Sequence, residues 1–291
     1  MSTLLPVALL LAAMASVQAG ASIAKTQFPV IGPIGMVAVR IALGTIILCA
    51  VLRPWRVRIT PGTWRPLVVY GVSLGVMNML YYLALNRVPL GIAVAIEFVG
   101  PLSVAVLTSR RVIDFCWILL AGAGLTLLLP VAHIGPGTDP VGALCALAAG
   151  GCWALYIIYG QKAGADHGAH AAALGSVISA VLVVPIGLID RGPALLSSSV
   201  LVPGLFVAVL STALPYTLEM IALTRLPART FGVLMSIEPA FGALIGYVYL
   251  HEWLTAVQWT AIGLVILASI GATASAQQKV PLQAEIPSPP V

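Results

Sequence analysis

Two glutamates in apolar surroundings are where chemistry could begin in this sequence. Glu97 lies within PLGIAVAIEFVGPL (89–102) and Glu238 within FGVLMSIEPA (231–240), each with a proline close behind it, Pro101 and Pro239. A charged carboxylate at the centre of an apolar helix costs about 2.5–3.5 kcal/mol on insertion scales, so such a residue normally faces a cavity or a partner. For Glu97 two readings stand: a protonatable cavity residue or ligand of a substrate amine, or a neutral acid held in an interhelical hydrogen bond. Glu238 has a second reading of its own, as a cap on the backbone that Pro239 disturbs. The two prolines are kink positions, because each removes a backbone donor and frees a carbonyl in the turn before.

Further polar side chains recur at helical spacing, which marks the faces turned away from lipid. Gly75, Asn78, Tyr81 and Tyr82 share one face, and Thr212, Tyr216 and Glu219 another. Met14, Gln18, Ser22 and Lys25 form a third, Trp153 and Tyr156 a fourth. Glu219 reads either as a gate or proton acceptor, or as a surface acid paired with Arg225 or Arg229. Arg40 falls about 10 Å into its apolar run at 1.5 Å per residue. It could clamp a carboxylate, snorkel to the interface, or bridge to one of the acids. The candidate substrate and proton cavity is therefore Glu97, Glu238, Glu219, Asn78, Tyr81, Tyr216, Gln18, Trp153, Tyr156 and Arg40.

The elements that must position these residues are membrane spans. Of 291 residues, 60% are hydrophobic and only 8% charged, and the mean hydropathy is +1.07. A soluble domain would carry about a quarter charged residues. Ten apolar runs approach the bilayer length of about 20 residues: 4–24, 33–52, 66–86, 89–108, 115–132, 140–160, 171–189, 200–222, 229–250 and 255–274. The chain also repeats itself. ALNRVPLGIAVAIEFVGP (84–101) aligns without a gap on ALTRLPARTFGVLMSIEP (222–239) at an offset of 138, which superposes Arg87 on Arg225 and Pro101 on Pro239. Under the same offset Asn78 falls on Tyr216, Tyr81 on Glu219 and Gln18 on Tyr156. Five spans per half is an odd number, so the second half enters the membrane inverted.

The expected fold is thus an all-α membrane protein of ten transmembrane helices, two inverted-topology five-helix repeats around a central cavity. The first repeat spans 1–138, the second 139–276, and a proline-rich cytoplasmic tail, 277–291, is expected to be disordered. Orientation follows the basic residues. With the N-terminus inside, the inner connectors and tail hold Arg53, Arg56, Arg58, Arg65, Arg110, Arg111, Lys162, Arg225, Arg229 and Lys279. The outer connectors then hold only Lys25, Arg87 and Arg191. That bias places both termini in the cytoplasm. Spans 5 and 10 carry no mid-span charge and read as peripheral packing or homodimer elements.

Several classes are excluded. The net charge of +5 sits in connectors between spans and is an orientation signal, not a nucleic-acid patch. Cys49, Cys116, Cys145 and Cys152 all lie in apolar runs, without a CxxC pair, and form neither a disulfide framework nor a metal site. His167 and His170 lack further ligands, and the HExxH pattern begun at His251 fails at Thr255. No cofactor is implied, and no nucleophile and base occur together at membrane depth, so the chain does not read as an enzyme. The small-x-small pattern at Val17 and Ala19 follows no basic n-region and reads as part of the first span, not a cleaved leader.

MASVQAGASIAK (14–25), PLGIAVAIEFVGPL, CWALYIIYGQKAGADHG (152–168) and LSTALPYTLEMIALTRLPARTFGVLMSIEPA (210–240) resemble the EamA-type drug/metabolite transporter superfamily. Within it the amino-acid exporters, specifically those for threonine and homoserine, are the most similar branch. The resemblance covers nearly the whole chain except the tail. It implies an inner-membrane exporter of small neutral amino acids, working as an antiporter with protons, with a cavity lined by spans 1–4 and 6–9. Related branches export purines, drugs or other metabolites, and the family supplies no catalytic motif to carry over.

Overall fold

The computed structural model describes residues 4–57, 62–107, 112–128, 139–168, 170–215, 218 and 234–276. Tyr216, Glu219, Arg225, Arg229 and the tail from Gln277 therefore lie outside the described residues. The described residues form helices and no strands. In chain order these are α1 (Leu4–Thr26), α2 (Phe28–Leu52), α3 (Trp64–Leu85), α4 (Leu90–Glu97), α5 (Val99–Leu107), α6 (Val112–Leu128), α7 (Pro140–His167), α8 (His170–Arg191) and α9 (Ser198–Ala208). A π-helical turn, Val209–Ala213, extends α9, and α10 (Glu238–Leu250) and α11 (Ala256–Ala276) complete the set. Each of the ten apolar runs contains helix.

Among the described residues five helical stretches are long and apolar enough to cross a bilayer: Leu5–Thr26, Phe28–Leu52, Trp64–Leu85, Pro140–His167 and His170–Leu196. Four more, Leu90–Val104, Phe115–Leu127, Ser198–Ala213 and Ala256–Gly271, are apolar but shorter. Large apolar side chains stand uncovered on the outside, Leu119, Val181 and Ile189 among them. In water such a surface would be a liability; against acyl chains it is what a span presents.

Glycine and proline interrupt the helices without always opening a loop. Gly32 and Pro33 do not separate α2 from a connector. They kink its first turn, with Gly32 at φ +68°. That left-handed backbone is what calls for glycine, and the end of the Arg191 side chain lies against it. The fourth run is split: α4 ends at Glu97 and α5 starts at Val99. The ninth shows the counterpart, a turn at Ser236–Ile237 before α10 begins at Glu238. In both cases the proline lies just inside the second piece. Pro101 cannot donate to the Glu97 carbonyl, so the ladder breaks at that point.

Helix α4 is the centre of the molecule. Apart from its last residue, Glu97, it is apolar on every side, and all eight of its residues are buried, as an all-round hydrophobic helix must be. Gly91 lets it approach α10 closely, since a β-carbon there would lie 2.5 Å from Ala243 Cα. Around it α3 packs on α7 and α8, α2 on α8 and α9, α1 on α9 and α10, α5 on α7, and α6 on α11.

Candidate functional site

A cavity of about 410 Å³ opens among these helices. Helix α1 contributes Val17, Gln18 and Ala21; α2 gives Arg40; α3 gives Met77, Asn78, Tyr81 and Tyr82. The broken fourth run supplies Val94, Glu97, Phe98 and Pro101, and α7 supplies Trp153, Tyr156 and Ile157. Ser211 and Pro215 follow α9, Met235 and Glu238 surround the start of α10, and Ser269 comes from α11. Of the ten residues expected from sequence, eight converge here. Tyr216 and Glu219 are the two outside the described residues.

The two acids are held differently. Glu238 is buried and accepts a 3.1 Å hydrogen bond from Gln18 Nε2, so α1 and α10 are joined through the cavity wall. Its other oxygen, Oε2, has no hydrogen-bond partner. The side chain does not cap α10, whose N-terminus has no side-chain cap bond. Glu97 is also buried and lines the cavity at the α4–α5 break. Pro101 leaves the Glu97 carbonyl free of the helix ladder, and α7 approaches it so closely that a β-carbon on Gly150 would lie 2.5 Å from that oxygen. Pro101 itself lines the cavity, whereas Pro239 is buried behind it.

Arg40 neither snorkels nor forms a salt bridge. It is 8% exposed, and no carboxylate of the described residues lies within ion-pair distance of it; the three ion pairs among them are Lys25–Glu252, Arg87–Asp139 and Arg191–Asp190. One guanidinium nitrogen donates to Asn78 Oδ1, and the guanidinium lies 5.1 Å from the Tyr82 ring centre. Its Nε has no partner. Asn78 is fixed in turn, because its amide nitrogen donates to the Leu74 carbonyl at 2.8 Å. Aromatic contacts brace the remaining walls: Phe98 meets Trp153 edge-on at 5.5 Å, and Tyr156 packs on Tyr70 at 5.0 Å.

Sequence reading missed part of the lining. Span 10 is more than peripheral packing, since its Ser269 reaches the cavity and hydrogen-bonds Ser236 at 2.8 Å. A serine well inside a small-residue helix was the available signal. The π-turn at Val209–Ala213 had none. It frees the Leu210 carbonyl, which accepts from Ser16 Oγ at 2.7 Å, and it presses Ser211 against Gly20. Phe98 and Met77 are ordinary apolar residues that the break and the crossing of α3 turn inward.

Residues 140–274 match the EamA-like transporter family. The chain is 54% identical over 275 residues to the threonine/homoserine exporter RhtA of Escherichia coli (strain K12), covering 94% of this chain and 93% of that protein. It is 55% identical over 269 residues to the threonine/homoserine exporter RhtA of Salmonella typhimurium (strain LT2), covering 92% and 91%. A solved crystal structure superposes with a TM-score of 0.64 at 19% identity, over 93% of this chain and 98% of that one, and so shares the fold.

Proposed function

The chain belongs to the EamA-like transporter family, and from that premise we propose that it exports L-threonine and L-homoserine across the bacterial inner membrane by proton-coupled alternating access. It is a transporter and not an enzyme. The observation that carries the reading is the cavity itself. Two buried acids, a buried arginine and a ring of amide, phenol and indole groups meet in it, in a protein whose curated relatives at 54% identity are threonine/homoserine exporters. A zwitterion with a hydroxyl needs an anion, a cation and neutral hydrogen-bonding groups, and all three kinds are present.

In this reading the ten runs are ten spans, residues 1–138 and 139–276 are two inverted repeats, and both termini are cytoplasmic. Two observations support it. The packing survives exchange of the halves: α2 meets its counterpart α8, α4–α5 meets α10, and α6 meets α11, while α3 on α7 corresponds to α1 on α9. The ion pairs are also distributed asymmetrically. Lys25, Arg87 and Arg191, the outer cations, are each paired with an acid. Among the described residues Arg53, Arg56 and Arg65 have no such pair and stand beside Trp55 and Trp64, an arrangement suited to a cytoplasmic headgroup region.

Glu97 and Glu238 are the proton carriers of the cycle. Protonation removes their attraction for the substrate ammonium, so release on the acidic side and reloading on the other are linked. Transport of labelled threonine and homoserine in inside-out vesicles under an imposed pH gradient tests the proposal. Accumulation that collapses with the gradient is expected, and accumulation indifferent to it removes the coupling. Overexpression in cells challenged with excess homoserine, threonine, other amino acids and purines tests the substrate.

A further inference from the structure

Resting on the reading above, we propose that Arg40 is the receptor for the substrate carboxylate, and that it restricts this cavity to ligands carrying both a carboxylate and an ammonium. Arg40 is the single cation among the described lining residues, and it is buried with its Nε unpartnered and no ion pair to any described carboxylate. A buried charge normally has a partner, because removing it from water is costly. Among the described residues no carboxylate comes within ion-pair distance of Arg40; the ion pairs there are Lys25–Glu252, Arg87–Asp139 and Arg191–Asp190. Asn78 and Tyr82 instead hold the guanidinium in place through neutral contacts, a carbonyl oxygen and a ring face. Such contacts orient the fork without spending its charge.

Of the two spaces that Arg40 lines among the described residues, only one has room for an organic anion. A second chamber bounded by Arg40, Thr45, Ser176, Ser179 and Thr212 measures about 30 Å³ and is lined by no acid. That volume is about one water. The 410 Å³ cavity is on the scale of small-molecule sites. The opposite polarity lies on other walls, where Glu238 keeps one oxygen unpartnered and Gln18 keeps its carbonyl oxygen unpartnered. A simple amine would find the acids but leave Arg40 uncompensated, and a simple carboxylate would do the reverse. An α-amino acid answers both, bridging the α2–α3 wall to the α1–α10 wall. Arginine suits the role because its planar fork can take both carboxylate oxygens.

The test is competition against labelled threonine in inside-out vesicles by three unlabelled ligands: threonine, threoninamide and N-acetylthreonine. In the wild type the amide should compete roughly tenfold to a hundredfold more weakly than threonine, the range for one charge-assisted contact. In Arg40→Gln the threonine-to-amide ratio should fall to near one, while the N-acetyl ligand remains as poor as before. Arg40→Lys, which keeps the charge but not the fork, should retain part of the ratio. An unchanged ratio in Arg40→Gln, with both ligands weakened alike, would mean a purely structural arginine and overturns the proposal. If that variant does not fold, the wild type still decides, because an amide that competes as well as threonine overturns it alone. A wild type that transports no amino acid would defeat the proposed function as well, so the two failures are distinguishable.

Discussion

Lys25 Nζ lies 2.6 Å from Glu252 Oε1 and also donates to the Val88 carbonyl at 2.7 Å, while Glu252 Oε2 accepts from the Leu90 amide at 2.6 Å. Four bonding groups thus tie the end of α1, the start of α4 and the residues after α10 into one closure, on the side assigned above to the cell exterior. The next layer inward repeats the link between α1 and α10 through Gln18 and Glu238. For an exporter this closure must open once per cycle. With Lys25 and Glu252 both changed to cysteine and joined by a bifunctional thiol reagent, transport should stop, and it should return when the link is cut. Full transport with quantitative linking would mean that these ends never separate.

Glu97→Gln should uncouple the carrier. Accumulation driven by a pH gradient is expected to vanish, whereas exchange of labelled for unlabelled threonine across the same membrane should continue, because the amide preserves size and hydrogen bonding. Retained gradient-driven accumulation would assign the proton elsewhere, and Glu238→Gln is then the variant to measure.

Two adjacent glycines in α7 should behave oppositely. A β-carbon on Gly150 would lie 2.5 Å from the Glu97 carbonyl oxygen, whereas one on Gly151 meets nothing within 4 Å. Gly150→Ala should destabilise by about 1–3 kcal/mol, as overpacking does, and should impair transport by moving Glu97. Gly151→Ala should be neutral or stabilising by up to about 1 kcal/mol through helix propensity alone. Thermal unfolding in detergent beside vesicle transport separates the two.

Asp139 caps α7, accepting from the Gly142 amide at 2.8 Å, and that hydrogen bond, more than Arg87 nearby, holds its carboxyl below the ordinary 3.8. A depressed carboxyl contributes stability that is present above the ordinary value and is lost as pH falls through the folded one. Melting temperatures of the wild type and Asp139→Asn should therefore differ from neutral pH down to about pH 4 and converge below it. A difference that persists in stronger acid would rule out the ionised cap.

Gln18, Asn78, Tyr81, Trp153 and Tyr156 were legible because polar residues at helical spacing in apolar runs can face only inward, and the 138-residue offset pairs all of them but Trp153 with another polar residue. Glu97 and Glu238 were legible for the same reason of cost. Other features depend on contacts between residues far apart in sequence. The fate of Arg40 turned on Asn78 and Tyr82 occupying its neutral contacts, and the role of Lys25 on Glu252, 227 residues away. The split of the fourth run at Phe98 was half visible, since Pro101 announced a disturbance without saying that the helix would end. The π-turn beyond α9 answers to Ser16 and Gly20 of α1 and has no local sequence mark.

The complete burial of α4 bears on how the protein is made. Its Gly91 face is covered by Ala243, which is translated about 150 residues later; at ribosomal speeds of about 5–20 residues per second, that is a wait on the order of ten seconds. Until then the nascent first half carries an acid and an unsheathed glycine surface into the lipid with nothing to receive them. Insertion factors or early neighbours have to shelter that segment, so slow synthesis of the second half should expose newly made chains to membrane proteases.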